Sequence, residues 1–277
     1  MSMSKNKLRR GLAALTIVGI CGLLPYMAGA TEPVVLTKGN FVVLRQEVTN
    51  RSMANLMIEI NKLDTDKPII FIQSPGGSVM AGLQFIQYMK DSGKHFTCIA
   101  DFAASMAFVI LQACNDRYVL SSSVLMQHQA SFGMEGAMAH VKSQYENTLA
   151  VITEAEQMQA DRIGISLVKF QADRLNDLWL YGKQATMYGA ADSIAELRCD
   201  ANLWANTITE IVPMDMMVLK VTFSSCPMAR APLKVEPASP PRDANAVEQQ
   251  KKATNKIQLM WNDFASAIDE VRKTMFK

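Results

Sequence analysis

The 277-residue sequence lacks several features that whole classes of protein require. It has 3 histidines and 5 cysteines, and no two of the cysteines form a CxxC pair. No histidine lies at ligand spacing from them, which argues against a zinc site. There is no glycine-rich loop followed by a lysine to bind a nucleotide phosphate. After the N-terminal region, no run is long and apolar enough to span a bilayer. We therefore expect no metal and no cofactor.

An excess of charge of one sign is also missing, because 28 Lys and Arg residues face 26 Asp and Glu residues. With 49% hydrophobic and 19% charged residues, the composition is that of an ordinary globular protein and excludes disordered and low-complexity classes. The net charge of +2 comes from Lys5, Lys7, Arg9 and Arg10. Without residues 1–30, 24 basic residues face 26 acidic ones. We expect no nucleic-acid partner.

Residues 1–30 have the three parts of a secretory signal. A basic stretch, Lys5–Arg10, precedes an uncharged apolar run, Leu12–Leu24, and the small residues Ala28–Ala30 follow. The apolar run is shorter than the roughly 20 residues of a membrane-spanning helix. We predict cleavage after Ala30 and a periplasmic or secreted protein. An uncleaved N-terminal membrane anchor is the alternative.

Four cysteines remain after removal of the signal, in a compartment that favours disulfides. Cys98 lies in an apolar strand-like run and Cys114 ends a helix-like one, which are positions where buried free thiols are common. We predict that these two stay free and that Cys199 pairs with Cys226.

From Asn40 onward, strand-like and helix-like patterns alternate, which predicts an α/β fold of βαβ units around a mostly parallel sheet. The predicted strands are Phe41–Leu44, Ile69–Ile72, Phe96–Ala100, Arg117–Leu120, Val124–Gln127 and Ser193–Leu197. The predicted helices are Met53–Ile60, Val79–Met89, Met106–Ala113, a long helix over 137–175 interrupted near Gly164, and Gln184–Tyr188. Ligands of such sheets bind at the carboxyl ends of the strands.

The alternation predicts one domain over 31–199, followed by a connecting segment over 200–226 with a strand at Met217–Phe223. Five prolines predict an extended linker over 227–242. An amphipathic helix is expected over 243–277, with a short heptad seam. Packing on its own domain and contact in an oligomer both remain open for this helix.

Three features fall at one edge of the predicted sheet. The turn Ser74–Gly77 ends a strand and opens a helix, so its backbone N–H groups are placed to form an oxyanion hole. Ser105 lies where a strand gives way to a helix, between the small residues Ala103 and Ala107, as in a nucleophile elbow. His128 follows a strand. His95 and His140 are expected on the solvated surface.

The stretch from Asn40 to Ile194 resembles the proteolytic subunit of the Clp protease, within the Clp/crotonase fold. The matching pieces follow the family's order and spacing, and they are Met53–Leu56, Ser74–Val79, Ala81–Gly82, Ala103–Ala107, Met126–Gln129 and Tyr188–Ile194. The sequence departs from the family pattern at Asp101, at Asn176 and over the segment 130–136. The last two positions concern the contacts through which the family's two rings of subunits stack.

The resemblance implies a triad in which Ser105 is the nucleophile, His128 the general base and Asp177 the acid. Asp173 and Asp192 are the competing carboxylates.

The resemblance further implies that the oxyanion donors are the N–H groups of Gly77 and Met106. An extended substrate would add as a strand beside Gly77–Val79 and the segment after His128, through Gly76, Ser78, Val79 and Gln129.

The resulting prediction is an exported, ATP-independent serine endopeptidase that acts on peptides or unfolded proteins and forms a homo-oligomer. No cytoplasmic Clp ATPase partner is expected outside the cytoplasm. A non-catalytic scaffold with this fold is the alternative, and a crotonase-like acyl-CoA enzyme is a more distant one. The related peptidases that pair serine with lysine have a glycine-rich segment where this chain has Met126–Gln129. The histidine in this segment therefore favours the Clp-like triad over a serine–lysine pair.

Overall fold

The computed structural model describes residues 33–214, 217–229 and 231–238. The predicted signal over 1–30 and the predicted helix over 243–277 lie outside these residues. None of the helices in the described part is both long and apolar enough to cross a membrane.

The described strands are β1 Val34–Leu36, β2 Phe41–Leu44, β3 Ile69–Ser74, β4 Thr97–Ala104, β5 Asp116–Gln127, β6 Leu178–Tyr181, β7 Ser193–Ile194, β8 Leu197–Cys199, β9 Thr207–Met214, β10 Met217–Ser224 and β11 Lys234–Pro237. The helices are α1 Asn50–Lys62, α2 Val79–Asp91, α3 Met106–Ala113, α4 Met138–Ile163, α5 Leu167–Asp173, α6 Lys183–Tyr188 and α7 Ala201–Ala205.

The largest sheet in the described part has six strands, with the order β2-β3-β4-β5-β6 and β7 beside β5. Strands β2 to β5 run parallel and β6 runs antiparallel, which confirms the predicted mixed α/β fold with a mostly parallel sheet. Helices α1, α2 and α3 bury their apolar sides in one core with the sheet. Polar caps define where two of them begin: Thr49 and Ser52 form a capping box before α1, and Ser78 caps α2.

Strand β5 corrects one prediction, because the two short strands expected at Arg117–Leu120 and Val124–Gln127 are a single strand. Its pairing with β4 jumps from Ala100↔Val119 to Phe102↔Val124. The extra residues of β5 form a bulge in which the Ser123 hydroxyl donates to the Ala100 carbonyl oxygen. The serine run therefore shifts the register and does not break the strand.

The predicted strand over Ser193–Leu197 is two strands in different sheets. β7 pairs with β5, whereas β8 pairs with β1 in a two-stranded parallel sheet.

The C-terminal region contains a three-stranded antiparallel sheet with the order β11-β10-β9. Strand β10 agrees with the strand predicted over Met217–Phe223. The linker predicted over 227–242 is wrong at Lys234–Pro237, which forms the edge strand β11. An edge strand tolerates Pro237, because the missing N–H of a proline does not interrupt a central ladder there.

The four described cysteines form two disulfides. Cys199 pairs with Cys226, as predicted. The prediction that Cys98 and Cys114 are free thiols is wrong, since these two residues are bonded to each other with their Cα atoms 5.9 Å apart. Cys98 lies near the start of β4 and Cys114 caps the end of α3, and the chain reversal between them brings these two points together.

Candidate active site

Ser105 lies at the turn between β4 and α3. Its backbone has φ 54° and ψ −121°, a conformation that a residue with a side chain adopts at a cost of about 1–3 kcal/mol. The Ser105 N–H donates to the carbonyl oxygen of Met126 over 2.9 Å, which ties the turn to the end of β5. A serine on a strained strand-to-helix turn has the geometry of a nucleophile elbow.

The turn Ser74–Gly77 packs directly against Ser105. Gly76 has φ +88°, and a Cβ added there would lie 2.4 Å from the Ala104 carbonyl oxygen and 2.8 Å from the Ser105 Cβ. The Ser74 hydroxyl holds this turn, since it accepts from the Gly76 N–H and donates to the Gln46 carbonyl oxygen. Only glycine fits at position 76, and this lets the two turns approach each other.

His128 follows β5 and reaches Ser105. Its Nε2 lies 2.9 Å from the Ser105 Oγ, and both side chains are half-buried. The His128 N–H donates to the side-chain oxygen of Gln127, whose amide nitrogen donates to Gln159 on α4. The structure therefore brings the predicted nucleophile and general base within hydrogen-bonding distance.

Asp177 is placed beside His128 but is not bonded to it. The ladder between β5 and β6 pairs Gln127 with Leu178, so Asp177 is the next residue opposite His128. Asp177 has φ 58° and is exposed. Within the described residues, its carboxylate accepts a hydrogen bond from neither His128 nor any other group. The third member of the predicted triad is near the site without being joined to it.

The two competing carboxylates have other partners. Asp173 accepts from Lys169 and from the Tyr188 hydroxyl, each over 2.7 Å, and these bonds lower the pKa of Asp173. Asp192 is bound by Arg117. Burial raises the pKa of Asp192, but the hydrogen bonds from Arg117 outweigh burial and leave that pKa below its usual value.

The backbone around Gly77 leaves one edge open. Val48 donates to the Gly76 carbonyl and accepts from the Ser78 N–H, over 2.7 and 2.8 Å. This parallel bridge directs the N–H and carbonyl of Gly77 away from Val48. Met106 is the first residue of α3, where an N–H has no partner within the helix. In the described part of the chain, neither the Gly77 N–H nor the Met106 N–H donates to a protein acceptor.

The predicted substrate-binding residues are partly committed to contacts within the chain. The Ser78 side chain caps α2, Val79 packs on the core and Gln129 donates to the Leu175 carbonyl oxygen. The Gly76 carbonyl is bonded to Val48. The open backbone groups at this turn are those of Gly77.

Several polar residues around the site were missed by the sequence reasoning. Gln127 and Gln159 are both buried and link the end of β5 to α4. Gln73 donates to Asp101 and accepts from Arg45, which connects three neighbouring strands. Gln127, directly before His128, is the feature of the sequence that could have indicated this link. Its partner Gln159 is 32 residues away in sequence, so no local pattern relates the two. As predicted, His95 and His140 are exposed.

No group of three or more histidine, cysteine, aspartate or glutamate residues in the described ranges is arranged to hold a metal ion.

Comparison with known proteins identifies the family. The Clp protease family model matches residues 32–198. The chain belongs to the Clp protease family. It is 33% identical over 151 residues to the ATP-dependent Clp protease proteolytic subunit 1 of Streptomyces avermitilis, and the match covers 53% of this chain and 69% of that protein. Membership of the Clp protease family supports peptidase activity. The family match ends before Cys199, so β9, β10 and β11 lie outside it.

Proposed function

We propose that this member of the family is an exported serine endopeptidase that cleaves peptides or unfolded proteins without ATP. The observation that carries the proposal is the 2.9 Å separation of the Ser105 Oγ and His128 Nε2 at a strained strand-to-helix turn. The Gly77 and Met106 N–H groups, which have no acceptor within the described chain, support it.

In the proposed reaction His128 takes the proton of Ser105 as Ser105 attacks the scissile carbonyl carbon. The Gly77 and Met106 N–H groups donate to the developing oxyanion. His128 then passes the proton to the leaving amine as the C–N bond breaks. Water next attacks the acyl carbon and gives a proton to His128, which returns it to the Ser105 Oγ as the acyl–oxygen bond breaks. Asp177 orients the imidazole once its carboxylate turns toward the His128 Nδ1. Because that carboxylate is exposed and forms no hydrogen bond with the described residues, no such bond has to break for the rotation.

The substrate is proposed to bind in extended form. The open carbonyl of Gly77 is the group with which an added strand would pair, because the Gly77 N–H is kept for the oxyanion. A folded protein seldom presents an unpaired extended segment, so peptides and unfolded chains are the proposed substrates.

Export is supported by two independent features. The N-terminal segment has the composition of a secretory signal, and all four described cysteines are in disulfides, which persist in oxidising compartments. We propose a periplasmic or secreted location, where neither ATP nor a Clp ATPase partner is expected.

We also propose that the chain forms a homo-oligomer. The first half of α4 exposes large apolar side chains, among them Met138, Tyr145 and Leu149, whereas the buried residues of this helix begin at Glu156. A second copy would cover this apolar half.

A fluorophosphonate probe tests the assignment of the nucleophile. We expect the probe to label the purified mature protein and the control variant Ser225→Ala, but not Ser105→Ala. Hydrolysis of unstructured casein should be lost in both Ser105→Ala and His128→Ala. Folded protein that is not labelled would refute the proposal. That result would favour a non-catalytic scaffold. The lack of a hydrogen bond between Asp177 and His128 favours the same alternative.

A further inference from the structure

The two disulfides differ in what lies between their cysteines. Cys98–Cys114 encloses most of β4, then Ser105 and the whole of α3. Cys199–Cys226 encloses α7, β9 and β10, which contain no predicted site residue. The first disulfide therefore closes a loop that has the nucleophile turn at its far end.

The loop joins α3 to β4 covalently at both ends. At one end the connection is Ser105 itself, and at the other it is the disulfide, with the two Cα atoms 5.9 Å apart. Strand β4 is fixed by ladders to β3 and β5 on its two sides. The disulfide thus prevents the end of α3 from moving away from a strand that is itself fixed.

The position of α3 determines two groups of the proposed mechanism. Met106 is the first residue of the helix, and Ser105 precedes it with φ 54° and ψ −121°. Such a conformation is kept only when the surroundings impose it. A shift of α3 would let the turn relax and would move both the Ser105 Oγ and the Met106 N–H.

The sulfur atoms are inaccessible once the chain has folded, since Cys98 is 0% exposed and Cys114 is 2% exposed. The bond must therefore form while the chain folds. In this step the two thiols lose two protons and two electrons to an oxidised thiol carrier, whose own disulfide becomes two thiols. The compartment in which the chain folds decides whether this happens.

We propose that the Cys98–Cys114 disulfide is a positioning element of the peptidase site, and that the chain reaches full activity only when this pair is oxidised. The disulfide holds α3 against β4 so that Ser105 and the Met106 N–H keep their geometry. This inference rests on the proposed role of Ser105 as nucleophile. It makes activity dependent on folding in an oxidising compartment.

The test compares Cys98→Ala/Cys114→Ala with Cys199→Ala/Cys226→Ala, since each variant removes one disulfide. A small displacement of reacting groups can cost up to about 100-fold in rate, so we expect the first variant to lose about 10- to 100-fold in kcat and in the rate of fluorophosphonate labelling. KM should stay within about twofold, because the Gly77 carbonyl, with which the substrate is proposed to pair, is not moved. The second variant should keep the wild-type kcat. If the first variant is folded and has the wild-type kcat, the disulfide only stabilises the fold and the proposal is overturned.

If the first variant does not fold, a second experiment tests the proposal by reducing and reoxidising the Cys98–Cys114 bond. In the Cys199→Ala/Cys226→Ala chain only the Cys98–Cys114 bond can be reduced. Dithiothreitol in mild denaturant, followed by glutathione disulfide, should lower kcat as two thiols appear and restore it as they disappear, while the far-UV circular dichroism stays that of the folded protein. A loss of kcat that occurs only together with unfolding would assign the disulfide to stability and contradict the proposal. An unchanged kcat after the thiols appear contradicts the proposal. Oxidised wild-type protein that never reacts with the probe would instead refute the assignment of Ser105.

Discussion

Strands β2 to β5 run parallel and are largely buried, whereas β9 to β11 are antiparallel and expose large apolar side chains such as Ile208, Ile211 and Val218. Parallel strands all end at one edge of a sheet, so the turns that carry Ser105 and His128 meet there. Antiparallel strands alternate in direction and share no such edge. The candidate chemistry is therefore concentrated in the part of the chain that matches the family.

The C-terminal region nevertheless completes the fold. A parallel sheet needs cover on both faces. Helices α1, α2 and α3 cover one face, and Leu203 and Cys226 pack on the other, against Ile69, Phe71 and Ile99. We therefore expect changes at the sheet edge to affect catalysis and changes in the C-terminal region to affect stability.

The largest effect should follow from Asp177→Asn. In the proposed reaction the Asp177 carboxylate turns to hold the His128 imidazole in the tautomer that accepts the Ser105 proton. Its removal is therefore expected to lower kcat about 10³- to 10⁴-fold. The measurement is hydrolysis of a fluorogenic peptide. Asp173→Asn is the control, because the Asp173 carboxylate is bonded to Lys169 and Tyr188 and should leave kcat unchanged. If Asp173→Asn were the variant that lost activity, the assignment of the acid would be wrong.

Gly76→Ala should have the next largest effect. The added Cβ would lie 2.4 Å from the Ala104 carbonyl oxygen and 2.6 Å from the Met106 nitrogen, so the two turns must separate. A loss of kcat of about 100-fold is expected from displaced reacting groups. Gly93→Ala is a matched control, since Gly93 also has a positive φ but no atom lies within 4 Å of its added Cβ. Equal losses of kcat in the two variants would show that backbone strain alone is responsible.

Asp192→Asn should change stability and leave the chemistry intact. Although burial raises the pKa of Asp192, Arg117 and Arg162 bring it below its ordinary value of 3.8. A carboxyl with a lowered pKa in the folded state stabilises the fold fully above its ordinary pKa, and this contribution is lost as pH falls through the folded pKa. Loss of a hydrogen bond to a charged group costs roughly 1.5–3 kcal/mol, so urea unfolding at pH 7 should show a decrease of this size.

The difference between wild type and Asp192→Asn should shrink at pH 3, where protonation weakens the wild-type contact. Glu236→Gln in β11 is the control, because the Glu236 carboxylate is partly exposed to solvent and its ion pairs with Lys234 and Lys220 are screened. A difference for Asp192→Asn that is the same at both pH values would contradict the linkage.

Much of the family-matched fold could be predicted because its signals are local. The apolar run Ile69–Ile72 and the helix Met106–Ala113 are visible within single segments, and the structure has them at these places. The serine at a strand end and the histidine at the next strand end could be placed at one edge from the direction of parallel strands alone.

The remaining features depend on contacts between distant parts of the chain. Cys98 and Cys114 look like buried thiols within their own segments, and only the packing of α3 on β4 brings them together. Strand β11 forms because β10 offers an edge, and its own sequence with Pro237 resembles a linker. The link from Gln127 to Gln159 likewise joins two elements that no local pattern relates.

The smallest effect is expected from Glu210→Gln, which removes the ion pair between β9 and Arg45. Both side chains are partly exposed, so the loss should be at most about 1 kcal/mol. It should disappear in about 1 M salt, where screening acts over roughly 3 Å. Arg45 also binds Gln73, which binds Asp101 on the strand that leads to Ser105. This chain of contacts makes kcat the decisive measurement. An unchanged kcat would show that the two regions are separate in function. A kcat that is about 10-fold lower corresponds to an activation free energy about 1.4 kcal/mol higher, and it would show that the C-terminal sheet acts on the site.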